Sequence, residues 1–122
     1  MNKQQLLDLV EKIRVTQQSL IGVSEAVAQD EYLIELLKQK QFTEIEGRNE
    51  AQRNANLAIA LDSNQDYIEV VKSLKDNNHT LSLLKLELDY QRNLLSAYKI
   101  IARMEIVKIV DDNLIEDANV LD

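Results

Sequence analysis

Residues 6–37 read LLDLVEKIRVTQQSLIGVSEAVAQDEYLIELL. Aliphatic residues recur in this segment every seven positions, and in most repeats a second aliphatic residue follows three positions later. The first series is Leu6, Ile13, Leu20, Val27 and Ile34, and the second is Leu9, Val23 and Leu37. This is the a/d spacing of a coiled coil, because residues three and four apart share one side of an α-helix. The pattern predicts a long helix from about Lys3 to Lys40.

The same spacing returns in the second half of the chain. Its members are Tyr67, Leu74, Leu81, Leu88, Leu95 and Ala102 in one series, and Val70, Leu84 and Tyr98 in the other. Two long heptad segments joined by a compact connection are typical of helices that fold back antiparallel. We expect an all-α antiparallel helical hairpin in which Leu20 faces Leu84 and Leu6 faces Tyr98, although a slip by one heptad would preserve the pattern.

The connection between the two heptad segments contains two predicted breaks and a short helix. Gly47 suits the left-handed position that follows many helices. Asn49 is a good N-cap, with Gln52 placed to complete a capping box, so a short helix is expected over residues 50–61. Residues 62–66, DSNQD, form the second break, and one of the first three is expected to cap the next helix. An uninterrupted helix through this point is the alternative.

Four polar residues interrupt the predicted interface between the long helices, namely Thr16, Asp30, Asn77 and Gln91. Polar residues at such positions cost stability and often specify register or the number of chains. The simpler interpretation, which we adopt as the expectation, is that these side chains are tolerated near solvent.

The composition predicts few turns and a soluble protein. The 122 residues include no Pro, two Gly and no Cys, and Pro and Gly are the residues that most often interrupt helices. Absence of Cys fits a reducing compartment. Neither a signal peptide nor an apolar run of membrane-spanning length is visible. We therefore expect a cytoplasmic protein that does not enter a membrane.

The negative charge is concentrated at the C-terminus. Residues 105–122 contain six acidic residues and one lysine, and so carry −5 of the total charge of −7. We divide the chain into a helical hairpin domain, residues 1–104, and an acidic C-terminal extension, residues 105–122. General attraction to nucleic acid is disfavoured by this charge. The acidic residues proposed to bind a partner are Asp111, Asp112, Glu116 and Asp117.

An apolar segment continues beyond the predicted end of the hairpin. In the register above, the first helix runs out opposite residue 102, whereas aliphatic residues persist to Ile115. An overhang of this kind would expose an unusually large apolar surface. We expect it to pack against another chain, which predicts a homo-oligomeric bundle and a protein partner. The candidate self-association residues are Ile100, Ile101, Met104, Val107, Ile109 and Val110.

The sequence offers little for catalysis or metal binding. The series Asp62, Asn64 and Asp66 begins like a calcium loop, but Tyr67 and Ser73 occupy the positions that require Gly and Glu. His79 is the only histidine, there is no Cys, and no glycine-rich loop is present. We therefore predict no enzyme, no metal site, no cofactor and no small-molecule substrate.

Three basic residues recur at seven-residue intervals in the second heptad segment: Lys85, Arg92 and Lys99. A stripe of this kind contacts phosphates in some proteins, whereas in most coiled coils it is a solvated flank. Nucleic acid is therefore a possible partner that the sequence does not favour.

The connection resembles small helical-hairpin proteins of bacteriophages and prophages. The resemblance rests on residues 32–33 (YL), residues 46–50 (EGRNE) with Arg53 and Leu57, and residues 66–67 (DY) before the second heptad segment. It implies a long helix, a short helix and a second long helix. Many such proteins are encoded near phage recombination or replication genes, and as a class they lack an agreed activity, so no functional residue is carried over.

Two function hypotheses follow. The first is a non-catalytic protein-interaction protein that self-associates and belongs to a phage or mobile element. The second is a nucleic-acid accessory protein that assists phage recombination or replication. A variant of the second makes the acidic extension an inhibitor that occupies the basic groove of a host nuclease or defence protein.

Overall fold

The computed structural model describes the backbone of residues 1–121 and the side chains of residues 1–115. The described chain is all-helical, with α1 over Lys3–Thr43, α2 over Glu50–Asp62 and α3 over Gln65–Leu121. The long helices α1 and α3 pack against each other. The predicted order of long helix, short helix and long helix is confirmed, and the second break separates α2 from α3.

The contacts divide the chain into two compact units. The terminal unit contains residues 1–17 and the part of α3 that begins at Leu86. The central unit contains residues 18–85. Helices α1 and α3 each contribute a segment to both units.

In the terminal unit, the start of α1 lies against the middle of α3. Leu9 and Leu88, both members of the heptad series, are buried with 5% and 8% of their surface exposed. Leu6 and Tyr98 line one groove, and Leu9 and Tyr98 line a second. These pairs agree with the register expected from the heptads, in which Leu6 faces Tyr98.

In the central unit, a side chain at the second break joins α3 to α1. Asn64 accepts a hydrogen bond from the Tyr67 backbone N–H with its Oδ1, at 3.1 Å, which caps α3. Its Nδ2 donates to Oε1 of Gln41, at 3.2 Å. Leu61 of α2 and Ile34 of α1 are buried in this unit. Asn64 is thus the capping residue that the sequence left open among three.

The expectation that the polar interface residues lie near solvent is wrong for three of the four. Thr16, Asp30 and Gln91 are at most 8% exposed. Each has at least one partner: the Thr16 hydroxyl donates to the Lys12 carbonyl, Asp30 accepts from the Ser73 hydroxyl, and Nε2 of Gln91 donates to Oε1 of Glu87. Thr16 and Asp30 are therefore satisfied by protein groups, whereas Oε1 of Gln91 is buried without a hydrogen-bond partner among the described residues.

The predicted role of Gly47 is also wrong. Helix α1 ends at Thr43, slightly later than expected but four residues before Gly47, and none of the glycines in the described chain has a positive φ. Gly47 is required for a different reason. A Cβ at this position would lie 2.6 Å from Cγ and 2.9 Å from the backbone N of Arg53. The glycine allows the connection to pass close to the first turns of α2.

The predicted capping of α2 is confirmed. Asn49 accepts a hydrogen bond from the Gln52 backbone N–H with its Oδ1, at 2.8 Å. The Gln52 side chain reaches back to the backbone N–H of Arg48, one residue before the cap, also at 2.8 Å. The first bond satisfies a donor that a helix start leaves unpaired. In the second, the Gln52 side chain bonds Arg48 instead of the Asn49 N–H that the predicted capping box requires.

The two glycines are expected to respond in opposite directions to substitution by alanine. Gly22→Ala should stabilise the protein by about 1 kcal/mol, because Gly22 lies within α1 with open space around it. Gly47→Ala should destabilise it by about 1–3 kcal/mol, because the added methyl group overlaps backbone atoms of Arg53. Urea unfolding followed by circular dichroism at one protein concentration measures both, and a stabilised Gly47→Ala would contradict this packing.

Candidate protein-interaction surface

Helix α3 carries a long exposed apolar segment near its C-terminal end. Every large hydrophobic side chain between residues 100 and 115 has at least half of its surface exposed. These side chains, which we call the apolar extension, are Ile100, Ile101, Met104, Ile106, Val107, Ile109, Val110, Leu114 and Ile115. All six predicted self-association residues are among them, so the structure places each at the surface.

The extension is helical because nothing in its sequence interrupts a helix. Residues 100–115 contain neither Gly nor Pro, and charged residues separate the aliphatic ones. Successive aliphatic residues differ in spacing, so they cover more than one side of the helix. The apolar surface is therefore wider than the single stripe that one helical neighbour requires.

The acidic residues lie directly beside this apolar surface. A depression of about 610 Å³ is lined by Ile100, Arg103, Met104, Val107, Lys108, Asp111 and Asp112. All seven residues belong to α3, so the depression has only one wall. A single wall cannot enclose a small molecule, whereas a second helix can lie along it. Asp111 and Asp112 are among the lining residues, and the side chains of Glu116 and Asp117 lie outside the described residues.

The predicted basic residues are also at the surface. Lys85, Arg92 and Lys99 are each exposed on α3, and their seven-residue spacing places them on one side of the helix. Among the side chains of residues 1–115, the only two ion pairs join residues of α1, Arg14 to Glu11 and Lys38 to Glu35. Neither of these two pairs involves a charged residue of α3.

An ion pair in α1, away from the apolar extension, shifts the pKa of both of its members. Arg14 of α1 hydrogen-bonds the Glu11 carboxylate and lowers the pKa of that carboxyl group, and Glu11 in turn raises the pKa of Arg14. Both side chains are more than half exposed, and pairs of this kind contribute little to stability. This ion pair therefore lies on a solvent-exposed side of α1 and indicates no binding site.

The residues considered for metal binding have other roles or none. Asn64 uses its side chain to cap α3 and to contact Gln41. His79 is exposed, as expected for a surface histidine. Within the described part of the chain, no three potential ligands are close enough to hold a metal ion.

A polar cluster made of the buried Asp30 and the half-buried Ser73 and Asn77 joins α1 to α3 in the central unit. Oδ2 of Asp30 accepts hydrogen bonds from the Ser73 hydroxyl at 2.8 Å and from Nδ2 of Asn77 at 2.9 Å. Asn77 also contacts Ser73, at 3.4 Å. The heptad analysis identified two members of this cluster but missed Ser73, which lies four residues before Asn77 and thus one turn away on the same side of α3.

Sequence reasoning also missed two exposed residues in the terminal unit. Leu86 and Tyr90 of α3 are 67% and 62% exposed, although Leu88 between them is buried. The sequence does contain a pattern that identifies them. Tyr90, Ala97 and Met104 are spaced seven residues apart, and Leu86 lies fourteen residues before Ile100. A second heptad series therefore runs along α3 into the apolar extension.

No family was matched. Searches of protein families, of curated proteins and of solved structures each found no similar protein. The resemblance to phage hairpin proteins therefore depends on the pattern over residues 32–67 alone. In the part of the chain that the structure describes, no helix has an apolar stretch long enough to cross a membrane.

Proposed function

We propose that this protein is a non-catalytic protein-interaction protein that self-associates through α3. The observation that carries the proposal is the apolar extension, in which nine large hydrophobic side chains are at least half exposed over residues 100–115. Isolated exposed hydrophobic residues need no explanation, whereas a contiguous apolar patch marks a surface that binds something.

The exposed area is large enough to support a stable interface. At roughly 100 Å² for each side chain, the nine residues present on the order of 900 Å², and a standard interface buries about 800 Å² on each partner. Burial of this surface also removes the cost of keeping it in contact with water. A second chain that covers α3 would supply that burial.

The sequence resemblance supports a phage or mobile-element setting for this protein. A helical protein without a catalytic site acts in such a setting by binding another protein, and Asp111 and Asp112 at the edge of the apolar extension favour a partner with basic residues near its apolar contact. In the inhibitor variant, that partner is a nuclease or defence protein with a basic groove.

Self-association is tested by the dependence of thermal stability on protein concentration. Binding that involves the folded state alone raises the midpoint of unfolding as concentration increases. We expect the midpoint to rise by several degrees between 1 and 100 μM, as estimated from the same linkage. A midpoint that does not change across this range would refute the proposal.

The exposed basic residues support a second candidate, a nucleic-acid accessory protein. Lys85, Arg92 and Lys99 are exposed on α3. If they bind phosphates, affinity for single- or double-stranded DNA should fall as salt is raised and should fall further in Arg92→Glu. Failure to shift either form of DNA at low salt would remove this candidate.

A further inference from the structure

The second heptad series of α3 forms a face of its own, which we call the outer seam. Its described members are Leu86, Tyr90, Asn93, Ala97, Ile100, Met104, Val107, Asp111 and Leu114. All nine are exposed. The heptad series that packs against α1 includes Leu88 and Gln91, which are 8% and 5% exposed. The outer seam therefore occupies a side of α3 that α1 leaves uncovered.

We propose that the outer seam pairs with the outer seam of a second copy of this chain, in antiparallel orientation. In the register that we infer, Ala97 packs against the partner's Ile100, and Tyr90 packs against the partner's Val107. The proposal rests on the self-association proposed above and adds the surface, the occupant and the direction. It also accounts for Leu86 and Tyr90, which lie outside the apolar extension.

The charges that flank the outer seam select an antiparallel second copy. Glu87 and Asp89 precede the centre of the seam, whereas Arg103 and Lys108 follow it, and all four are exposed. Antiparallel pairing in this register brings Asp89 beside the partner's Arg103, whereas Lys108 lies beside the partner's uncharged Leu94. Because the arrangement is two-fold symmetric, each contact occurs twice.

The parallel arrangement loses this complementarity. In a parallel coiled coil, a flanking residue meets the partner's flanking residue five positions later. Arg103 would then meet the partner's Lys108, and Asp89 would meet the partner's Leu94. The first contact sets two cations against each other and the second removes an acid from its cation. Like charges at such positions disfavour an arrangement.

The area of the outer seam is sufficient for a dimer. Seven of its members are apolar, and together they expose roughly 700 Å², close to the 800 Å² that each chain buries in a standard interface. The two polar members, Asn93 and Asp111, face Met104 and Leu86 of the partner. Polar residues at isolated seam positions reduce stability but help to select one register.

The structure offers a charge-exchange test of this pairing. Asp89→Arg alone places two arginines together at both symmetric contacts, and Arg103→Asp alone places two aspartates together. Each variant should self-associate about tenfold more weakly than the native chain. An equimolar mixture restores opposite charges at both contacts, so its affinity should return to within about threefold of the native value. Sedimentation velocity measures all three samples.

A distance measurement tests the direction independently. Because the chain has no Cys, Asn113→Cys gives a single spin-label site on an exposed position outside the outer seam. Position 113 of one chain is far from position 113 of the other in the antiparallel dimer, on the order of 40 Å at 1.5 Å per residue. The parallel dimer brings the two labels to about 20 Å or less.

The outcomes distinguish this inference from the proposed function. A label separation near 40 Å and recovery in the mixed sample support both. A dimer with a short separation, or a mixture that stays as weak as its components, overturns the antiparallel seam while self-association stands. A chain that remains monomeric in every sample overturns the inference and the proposed function together.

Discussion

Replacement of Met104 and Val107 together by glutamate is expected to convert the protein to a monomer at concentrations where the native chain self-associates. Both side chains are exposed, at 65% and 58%, so the hairpin itself loses no buried contact. Each contributes about 1.5–3 kcal/mol when fully buried, and each is buried twice in a symmetric dimer. Loss of about 6 kcal/mol corresponds to roughly a 10⁴-fold weaker self-association. Sedimentation velocity over a concentration series measures the change.

A matched control separates the surface of α3 from a general effect of added charge. Ile21 of α1 and Ile59 of α2 are 61% and 68% exposed, so Ile21→Glu with Ile59→Glu adds the same charge to equally exposed positions. Self-association of this control should match that of the native chain. Equal weakening in the two double variants would argue against α3 as the interface. Circular dichroism should show unchanged helix content in both.

The second large effect is expected from Asp30→Ala in the central unit. This change removes the acceptor for the half-buried Ser73 and Asn77 between α1 and α3, and leaves Asn77 with only its 3.4 Å bond to Ser73. Unsatisfied polar groups and lost bonds to a charged acceptor should together cost about 2–4 kcal/mol. For a chain of this size, the midpoint of thermal unfolding should fall by roughly 10 °C.

Two further variants identify the hydrogen bonds as the cause. Asp30→Asn keeps an oxygen acceptor at the same position and should lose much less stability than Asp30→Ala. Asp30→Leu combined with Ser73→Ala and Asn77→Leu removes every unpaired group and should return stability to near the native value, because apolar replacement of a whole buried polar cluster is often neutral or stabilising. Native stability in Asp30→Ala would show that the cluster contributes nothing.

The helices and their pairing were predictable from residue spacing. Leu6, Leu9 and their heptad relatives need a partner surface, and the second heptad segment supplies one, so the packing of α1 against α3 follows from burial. The exposure of Met104 and Val107 followed from the same register, because the N-terminal end of α1 lies opposite residue 102 and does not reach them. These inferences depend only on the heptad spacing of apolar residues, which stays the same when the predicted ends of a helix are wrong by a few residues.

The polar contacts were not predictable in this way. Asp30 was expected near solvent because an isolated carboxylate is costly to bury, and the heptad pattern does not reveal that Ser73 and Asn77 both reach it. Gly47 was assigned a left-handed conformation because that is the usual reason for a glycine after a helix. Its actual role is steric and depends on where Arg53 lies in three dimensions.

The outer seam shows the limit of analysing one heptad series at a time. Tyr90, Ala97 and Met104 are spaced as regularly as the residues of the buried heptad series. The sequence alone does not tell which of the two series is buried, and the exposed fractions of the side chains in the structure do. The sequence therefore predicted an unpaired end of α3, whereas the structure extends the uncovered surface back to Leu86. The interpretation of the protein as a binding module depends on this surface.

Sedimentation equilibrium of the full chain over a wide concentration range tests the central claim most directly. We expect the mass to rise from the 14.0 kDa of one chain towards about 28 kDa, twice that value, as concentration increases. A mass that stays at 14.0 kDa at the highest concentrations would contradict the assignment of the exposed face of α3 as an interface between chains.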